Sequence, residues 1–433
     1  MKSNAAPTRF ERLMFGREMS PARLRARVYG WNMCASLLYA IQSAVLLLIV
    51  TRLWGLYVAG RFSIYFVTTQ MLSTLALYSM RHFQVSDVHD EYSFRTYYSS
   101  RIITCAVMAV VGMGYALVSK RTAEGLVVVG CLVLYRVMDG IEDVVHAQVQ
   151  KEGRLDAASV GKAARVAAAV ALFTVAGVAS DSLIIASVAL AAASLIVLYA
   201  ELKVLIPHYS AITTDFSKDK VAGLLVACFP LMAGAFLYSY LINIPKYAIE
   251  RVLSSDMQTI FNILFMPVFL VNVLSQFIFV PMVATMSIWW EKRDKRTLVR
   301  SIMRQTVIIL GIAALVALAG YVIGYKILGI VYAVDLTGYR SLLAGLLMMG
   351  GMAALTVFLG TVLTIMRRQK IIVITYAVVD LIGWRISDSL VKKSGLAGAG
   401  MIYGILVGAA IVIFAVAIGV CMHGAKRRDT DEG

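Results

Sequence analysis

The residues with the most chemical potential lie inside apolar stretches. Around positions 136–150 the chain places Arg136, Asp139, Glu142, Asp143, His146 and Gln150 within about 120° of one helical face at about 100° per residue. A second set is the short island Lys246, Glu250, Arg251 and Asp256, and a third is Asp380, Arg385 and Asp388. Cations in an apolar setting bind phosphate-like anions, arginine through its planar fork of donors. Acids in the same setting carry H⁺ or coordinate Na⁺, or form structural ion pairs. Asp139, Glu142 and Asp380 are therefore the candidates for ion coupling, and the spacing predicts i,i+3 pairs Arg136–Asp139 and Arg385–Asp388. The five cysteines and five histidines are dispersed, with no metal-ligand spacing and no nucleophile–histidine pairing. No metal site and no catalytic residue is expected.

The elements that hold these groups are set by composition. Apolar residues make up 60% of the 433, charged residues only 15%, and mean hydropathy is +0.78. Charge-free runs recur at 32–51, 62–80, 102–119, 182–200, 221–245, 257–290, 305–325, 341–366 and 394–422. Most reach the roughly 18–20 residues that cross a hydrocarbon core. Three further candidates carry charges: 124–146, 162–180 and 371–391. The expectation is an all-α polytopic membrane protein of about twelve spans, in two six-helix halves.

The N-terminal segment shows no cleavable signal pattern. The excess of 41 Lys+Arg over 25 Asp+Glu fits the positive-inside rule better than a nucleic-acid partner. With both termini cytoplasmic, most of the basic residues fall on the cytoplasmic side. The expected organisation is a basic arm over 1–30, a first half over 31–200, a cytoplasmic linker over 201–220, a second half over 221–422 and a tail over 423–433. The arm carries six arginines, which serve as a topology determinant or lie on anionic headgroups. A faint internal echo accompanies the two halves. Arg52 ends the first span of one and Lys246 the first span of the other, each before a polar loop and an aromatic (Phe62, Phe261).

Prolines interrupt the start of the second half at Pro230, Pro245, Pro267 and Pro281. Proline inside a span is tolerated where neighbours or water satisfy the freed carbonyls, and it marks a hinge. The 34 uncharged residues of 257–290 would extend about 51 Å as one helix, so that run must tilt, bend or protrude.

Three stretches carry a resemblance to a known family. INIPKYAIERVLSSDMQTIFNILFMPVFLVNVLSQFIFVP (242–281), AGRFSIYFVTTQMLSTLALYSMRHFQVSDVHDEYSFRTYYSSRIIT (59–104) and YRVMDGIEDVVHAQVQKEGRLDAASVGKAAR (135–165) resemble bacterial polysaccharide and O-antigen flippases. These belong to the multidrug/oligosaccharidyl-lipid/polysaccharide (MOP) exporter superfamily. The resemblance implies two six-helix bundles around a central cavity, alternating access, and an undecaprenyl-pyrophosphate-linked oligosaccharide as cargo. It further implies the bacterial cytoplasmic membrane, contacts with membrane lipids, and polymerase and chain-length proteins as partners, with no cofactor beyond an H⁺ or Na⁺ gradient.

A pyrophosphate cargo would need cations within or beside spans, and Arg52, Arg61, Arg136, Lys246 and Arg251 are the candidates. Arg52, Arg61 and Arg251 read equally well as outer-surface charge. Tyr238, Tyr240, Asn243 and Tyr247 could meet the sugars, although tyrosines near span ends are also interface anchors. An ion-coupled drug exporter of the same superfamily is the nearer alternative. A membrane glycan polymerase is more distant, because the outer connections are short and no phosphate-binding glycine loop is present.

Overall fold

The computed structural model describes residues 14, 20–87, 90–119, 122–209, 214–279 and 282–431, and among them every regular element is helical. In chain order the α-helices are α1 (Pro21–Leu77), α2 (Met80–Ser86), α3 (Phe94–Val118), α4 (Ala123–Lys151), α5 (Leu155–Ser180), α6 (Leu183–Tyr209) and α7 (Lys218–Val252). They continue with α8 (Ser255–Phe265), α9 (Val268–Phe279), α10 (Val283–Glu291), α11 (Lys295–Ala319), α12 (Tyr325–Tyr332), α13 (Arg340–Ile365) and α14 (Gln369–Asp431). Nine stretches among the described residues are long and apolar enough to cross a membrane.

The expected twelve spans and these helices differ where a glycine lets two spans run on. Helix α1 holds the first two, with an internal break at Gly55 (φ 78°), and α14 the last two, with a break at Gly395 (φ 57°). Both glycines take the left-handed conformation that a side chain would oppose. Helix α4 is the charged span and falls outside the apolar set. The long uncharged run from 257 is divided. Helix α8 ends at Phe265, Met266 and Pro267 form a turn, and α9 follows. Pro230 and Pro245 do not interrupt α7, which stays helical through both. Pro281 lies outside the described residues. A π-turn at Gly320–Gly324 separates α11 from α12.

The chain forms two compact units. One comprises the described residues up to Trp54 together with Tyr65–Phe236; the other comprises Gly55–Ile64 and the described residues from Leu237 onward. In the first, α4 packs against α2, α3, α5 and α6, and α5 lies along α6. In the second, α13 is central and touches α9, α11 and α14. Small residues permit that closeness. A methyl at Gly351 would sit 2.1 Å from the Cβ of Ala313, and one at Gly350 would sit 2.8 Å from a methyl of Val268. Residues 55–64 are tied into the second unit by Thr259, which donates to the Leu56 carbonyl (2.6 Å), and by Asn262, which donates to Ser63 (2.8 Å).

Of the expected basic arm, Arg9, Arg12 and Arg17 fall outside the described residues. Arg23 and Arg25 are exposed, and Arg27 pairs with buried Asp156 at 2.9 Å. Arg27 also donates to the carbonyl of Met14 (2.8 Å), whose side chain is buried beside Met80, Tyr97 and Val145.

Candidate functional site

The first unit contains a buried ionic ladder built on α4. Its lowest rung is the predicted pair, with Arg136 donating to Asp139 at 2.8 Å. Arg136 also lies over the rings of Phe66 and Tyr135, at 4.7 and 5.3 Å from their centroids, which is cation–π geometry. The next rung comes from α5. Arg165 donates to both oxygens of Glu142 (2.7 and 2.8 Å), to Asp139 and to Ser194 (2.8 Å). This bidentate fork is the geometry that makes arginine–carboxylate pairs strong. Arg136 and Arg165 are fully buried, and Asp139 and Glu142 nearly so.

One turn further along α4, His146 Nε2 is in direct hydrogen-bond contact with Glu201 Oε1 of α6. Gly161 makes room for it: a methyl there would overlap the Glu201 carboxylate. At the edge of the ladder Asp143 accepts from Arg81 and Arg101, each at 2.9 Å, and Arg81 also holds Gln150 at 2.7 Å. Each residue of the polar face read from sequence thus has at least one protein partner, although two buried nitrogens of Arg136 have no hydrogen-bond partner among the described residues.

The second unit presents the opposite situation. Lys246, on α7, is 9% exposed, and among the described residues no carboxylate lies within ion-pair distance of it. Its ammonium sits 4.7 Å from the centre of the Phe265 ring. Asp380, on α14, is 4% exposed, and neither carboxylate oxygen accepts a hydrogen bond from any described residue. Aromatic side chains surround these helices. Phe265 packs on Tyr403 (5.1 Å between centroids), and Tyr376, one turn before Asp380, packs on Tyr238 (5.4 Å) and Phe414 (5.5 Å). Tyr240 and Tyr247 stack at 6.1 Å. Asn243 spends its amide on the carbonyl of Ser239 in its own helix (2.8 Å).

The sequence-derived candidates therefore separate into two groups. Arg52, Arg136, Asp139 and Glu142 belong to the first unit, and Arg61, Lys246, Tyr247, Arg251 and Asp380 to the second. Arg52 is exposed and Arg61 half-buried. The predicted Arg385–Asp388 pair is replaced: Arg251 of α7 holds Asp388 in a forked contact at 2.7–3.1 Å, so two helices share the charge instead of one. Arg165 and Glu201 were not among the candidates. Their signal was present, since Arg165 is a charge inside a span and Glu201 directly follows an uncharged run.

Glu142, His146 and Glu201 bring ligand atoms within 4.8 Å of one another, a spacing that could hold a metal ion. Apart from Glu201 Oε2, which has no hydrogen-bond partner among the described residues, those atoms are already committed. Arg165 covers both Glu142 oxygens, and His146 and Glu201 touch each other with no room for an ion between them.

No protein-family profile matches the sequence, and no curated protein does. Solved structures do. An inward-facing multidrug resistance MATE family transporter of the MOP superfamily superposes with a TM-score of 0.63 at 10% identity, covering 96% of this chain and 98% of that one. The lipid II flippase MurJ in an inward closed conformation gives 0.63 at 9% identity, covering 92% of this chain and 87% of its own. A MOP superfamily transporter from Pyrococcus furiosus, described as having a binding pocket of reversed polarity, gives 0.58 at 10% identity over 96% and 99%. This multi-pass membrane chain has the fold shared by the MATE transporters and the MurJ flippase.

Proposed function

We propose that the protein moves an anionic, lipid-linked oligosaccharide, an undecaprenyl-pyrophosphate-linked unit, across the bacterial cytoplasmic membrane by alternating access, for surface polysaccharide synthesis. The observation that carries this is Lys246. The other buried cations of the described residues, Arg101, Arg136 and Arg165, each have a carboxylate partner, whereas Lys246 has an aromatic ring instead. A buried ammonium without a counter-charge is costly, and a cargo diphosphate would supply that charge. The stacked Tyr240–Tyr247 pair on the same helix supplies flat apolar surface of the kind that sugars pack against. The fold shared with a lipid II flippase supports a lipid-linked cargo. Pro267, at the α8–α9 turn, fits as the hinge.

Asp380 favours a second reading. A buried carboxylate that accepts no hydrogen bond is suited to a cationic cargo or a coupling ion, which is the chemistry of an ion-coupled multidrug exporter. One experiment separates the two. Reconstituted protein is assayed for translocation of a fluorescent polyprenyl diphosphate sugar and, separately, of an organic cation. Lys246→Ala should lower diphosphate translocation at least about tenfold, equivalent to about 1.4 kcal/mol, and Lys246→Arg should restore it. Cation transport that is lost in Asp380→Asn, with no diphosphate transport in the unaltered protein, would overturn the flippase assignment.

A further inference from the structure

The second unit holds a cavity of about 530 Å³ that the transport function does not use. It lies between α10 and the C-terminal end of α13, two helices that pack on one another. Its polar lining is Ser287, Trp290 and Glu291 from α10, with Thr361, Thr364 and Arg367 from α13 and the turn after it. The volume falls within the range of small-molecule sites, about 300–1,000 Å³. Trp289 and Trp290 directly precede the charged run 291–296, the pattern that marks the boundary between lipid and water.

The lining is divided in what it can accept and what it can donate. Each of its three hydroxyls gives its proton to a carbonyl of its own helix: Ser287 to Val283 (3.0 Å), Thr361 to Val357 (2.9 Å) and Thr364 to Gly360 (3.0 Å). What those oxygens still offer a ligand is acceptor lone pairs. Glu291 adds a carboxylate, which only accepts, and Trp290 adds a ring face that attracts cations. Arg367 supplies the one positive charge of the lining, as a fork of N–H donors. Glu291 and Arg367 are both exposed, and neither forms an ion pair with the other or with another described residue.

A ligand that satisfies both parts carries a primary ammonium, rich in N–H donors, and a phosphate with one negative charge. We infer that the cavity binds the headgroup of phosphatidylethanolamine, with the ammonium on Glu291 and the hydroxyl oxygens and the phosphate on Arg367. The site is independent of the cargo: it ties α10 to α13 through a molecule of the surrounding bilayer. The exposed cations nearby in sequence, Lys292, Arg293, Arg296 and Arg368, would draw anionic lipid to this surface in general. Inside the cavity, however, phosphatidylglycerol brings a net negative charge against Glu291 and no ammonium. Phosphatidylcholine brings a cation without N–H donors, which leaves the acceptors unused.

The test needs no transport. The detergent-solubilised full chain is titrated with phosphatidylethanolamine, phosphatidylcholine and phosphatidylglycerol of matched acyl chains, and bound lipid is counted by native mass spectrometry. Phosphatidylethanolamine should bind about tenfold more tightly than either of the others, the worth of one hydrogen bond to a charged group. Glu291→Gln should erase that preference, and Arg367→Gln should weaken binding of all three lipids. Lys292→Gln, on the same loop but outside the cavity lining, should leave the preference intact. All three side chains are exposed, so the variants should unfold at the temperature of the unaltered protein. Equal binding of the three lipids, tightest binding of phosphatidylglycerol, or tighter lipid binding in Glu291→Gln overturns the assignment. Glycerophosphoethanolamine, the same headgroup without chains, should compete only weakly; competition as strong as that of the lipid would make the ligand a soluble zwitterion and overturn the lipid assignment.

Discussion

Replacing Arg165 by Met is the sharpest perturbation of the first unit. The guanidinium makes four hydrogen bonds to three partners, two of them carboxylates, with no solvent contact. Met fills much of the volume but leaves Glu142 buried without its counter-charge and leaves Asp139 to Arg136 alone. Breaking a buried pair from one side costs about 3–5 kcal/mol, because the orphaned charge stays desolvated. At about 2–4 °C per kcal/mol for a unit of this size, thermal unfolding should fall by about 6–20 °C. Cys105 and Cys228 are free and buried, so a thiol-reactive dye reports the transition in detergent. The companion variant Arg165→Met/Glu142→Gln removes the orphan and should recover part of the loss, with a coupling of about 1–3 kcal/mol. A shift below about 2 °C in the single variant, or losses that simply add in the double, would refute the view that the ladder holds α4 and α5 together.

Two further outcomes are expected. Gly351→Ala places a methyl 2.1 Å from Ala313 and should part α11 from α13 at about 1–3 kcal/mol, read as a lower unfolding temperature; unchanged stability would mean that the two helices are not in close contact there. Asp87, in the loop before α3, is pushed up by partial burial but pulled further down by the N–H groups of Tyr92 and Glu91, the Tyr97 hydroxyl and Lys151, so it stays below the ordinary aspartate range. Its stabilisation is therefore complete above about pH 4, the unfolded value, and is lost as pH falls through the lower folded one. Asp87→Asn should be less stable near pH 6 and show a shallower decline towards pH 3; an unchanged acid limb would count against the loop contacts.

What could be read from the residues alone followed from cost. Lipid tolerates few charges, so the spans and the polar face of α4 stand out, and the pair Arg136–Asp139 follows from helical spacing within one segment. Contacts between helices did not follow. Arg165 lies 23 residues from Glu142 and Glu201 lies 55 from His146, and no local pattern states that a turn of α5 and the end of an apolar run will meet the same face. Arg251 was legible as a charge and not as the partner of Asp388, 137 positions away, for the same reason. The fates of the three described prolines also differ for a reason outside the local sequence. Pro230 and Pro245 sit in a helix that continues through them, and Pro267 sits at a turn.

The ladder has a consequence for how the chain enters the bilayer. Helix α4 carries Arg136, Asp139, Glu142 and Asp143, and a charged residue near the centre of a span opposes membrane insertion by about 2.5–3.5 kcal/mol. Arg101 and Arg81, which pair with Asp143, are already made, but Arg165, the cation that pairs with Asp139 and Glu142, comes only with α5. The insertion of α4 is therefore expected to depend on α5. Truncating the nascent chain before Arg165 should lower the insertion of α4, and extending it past Arg165 should restore it.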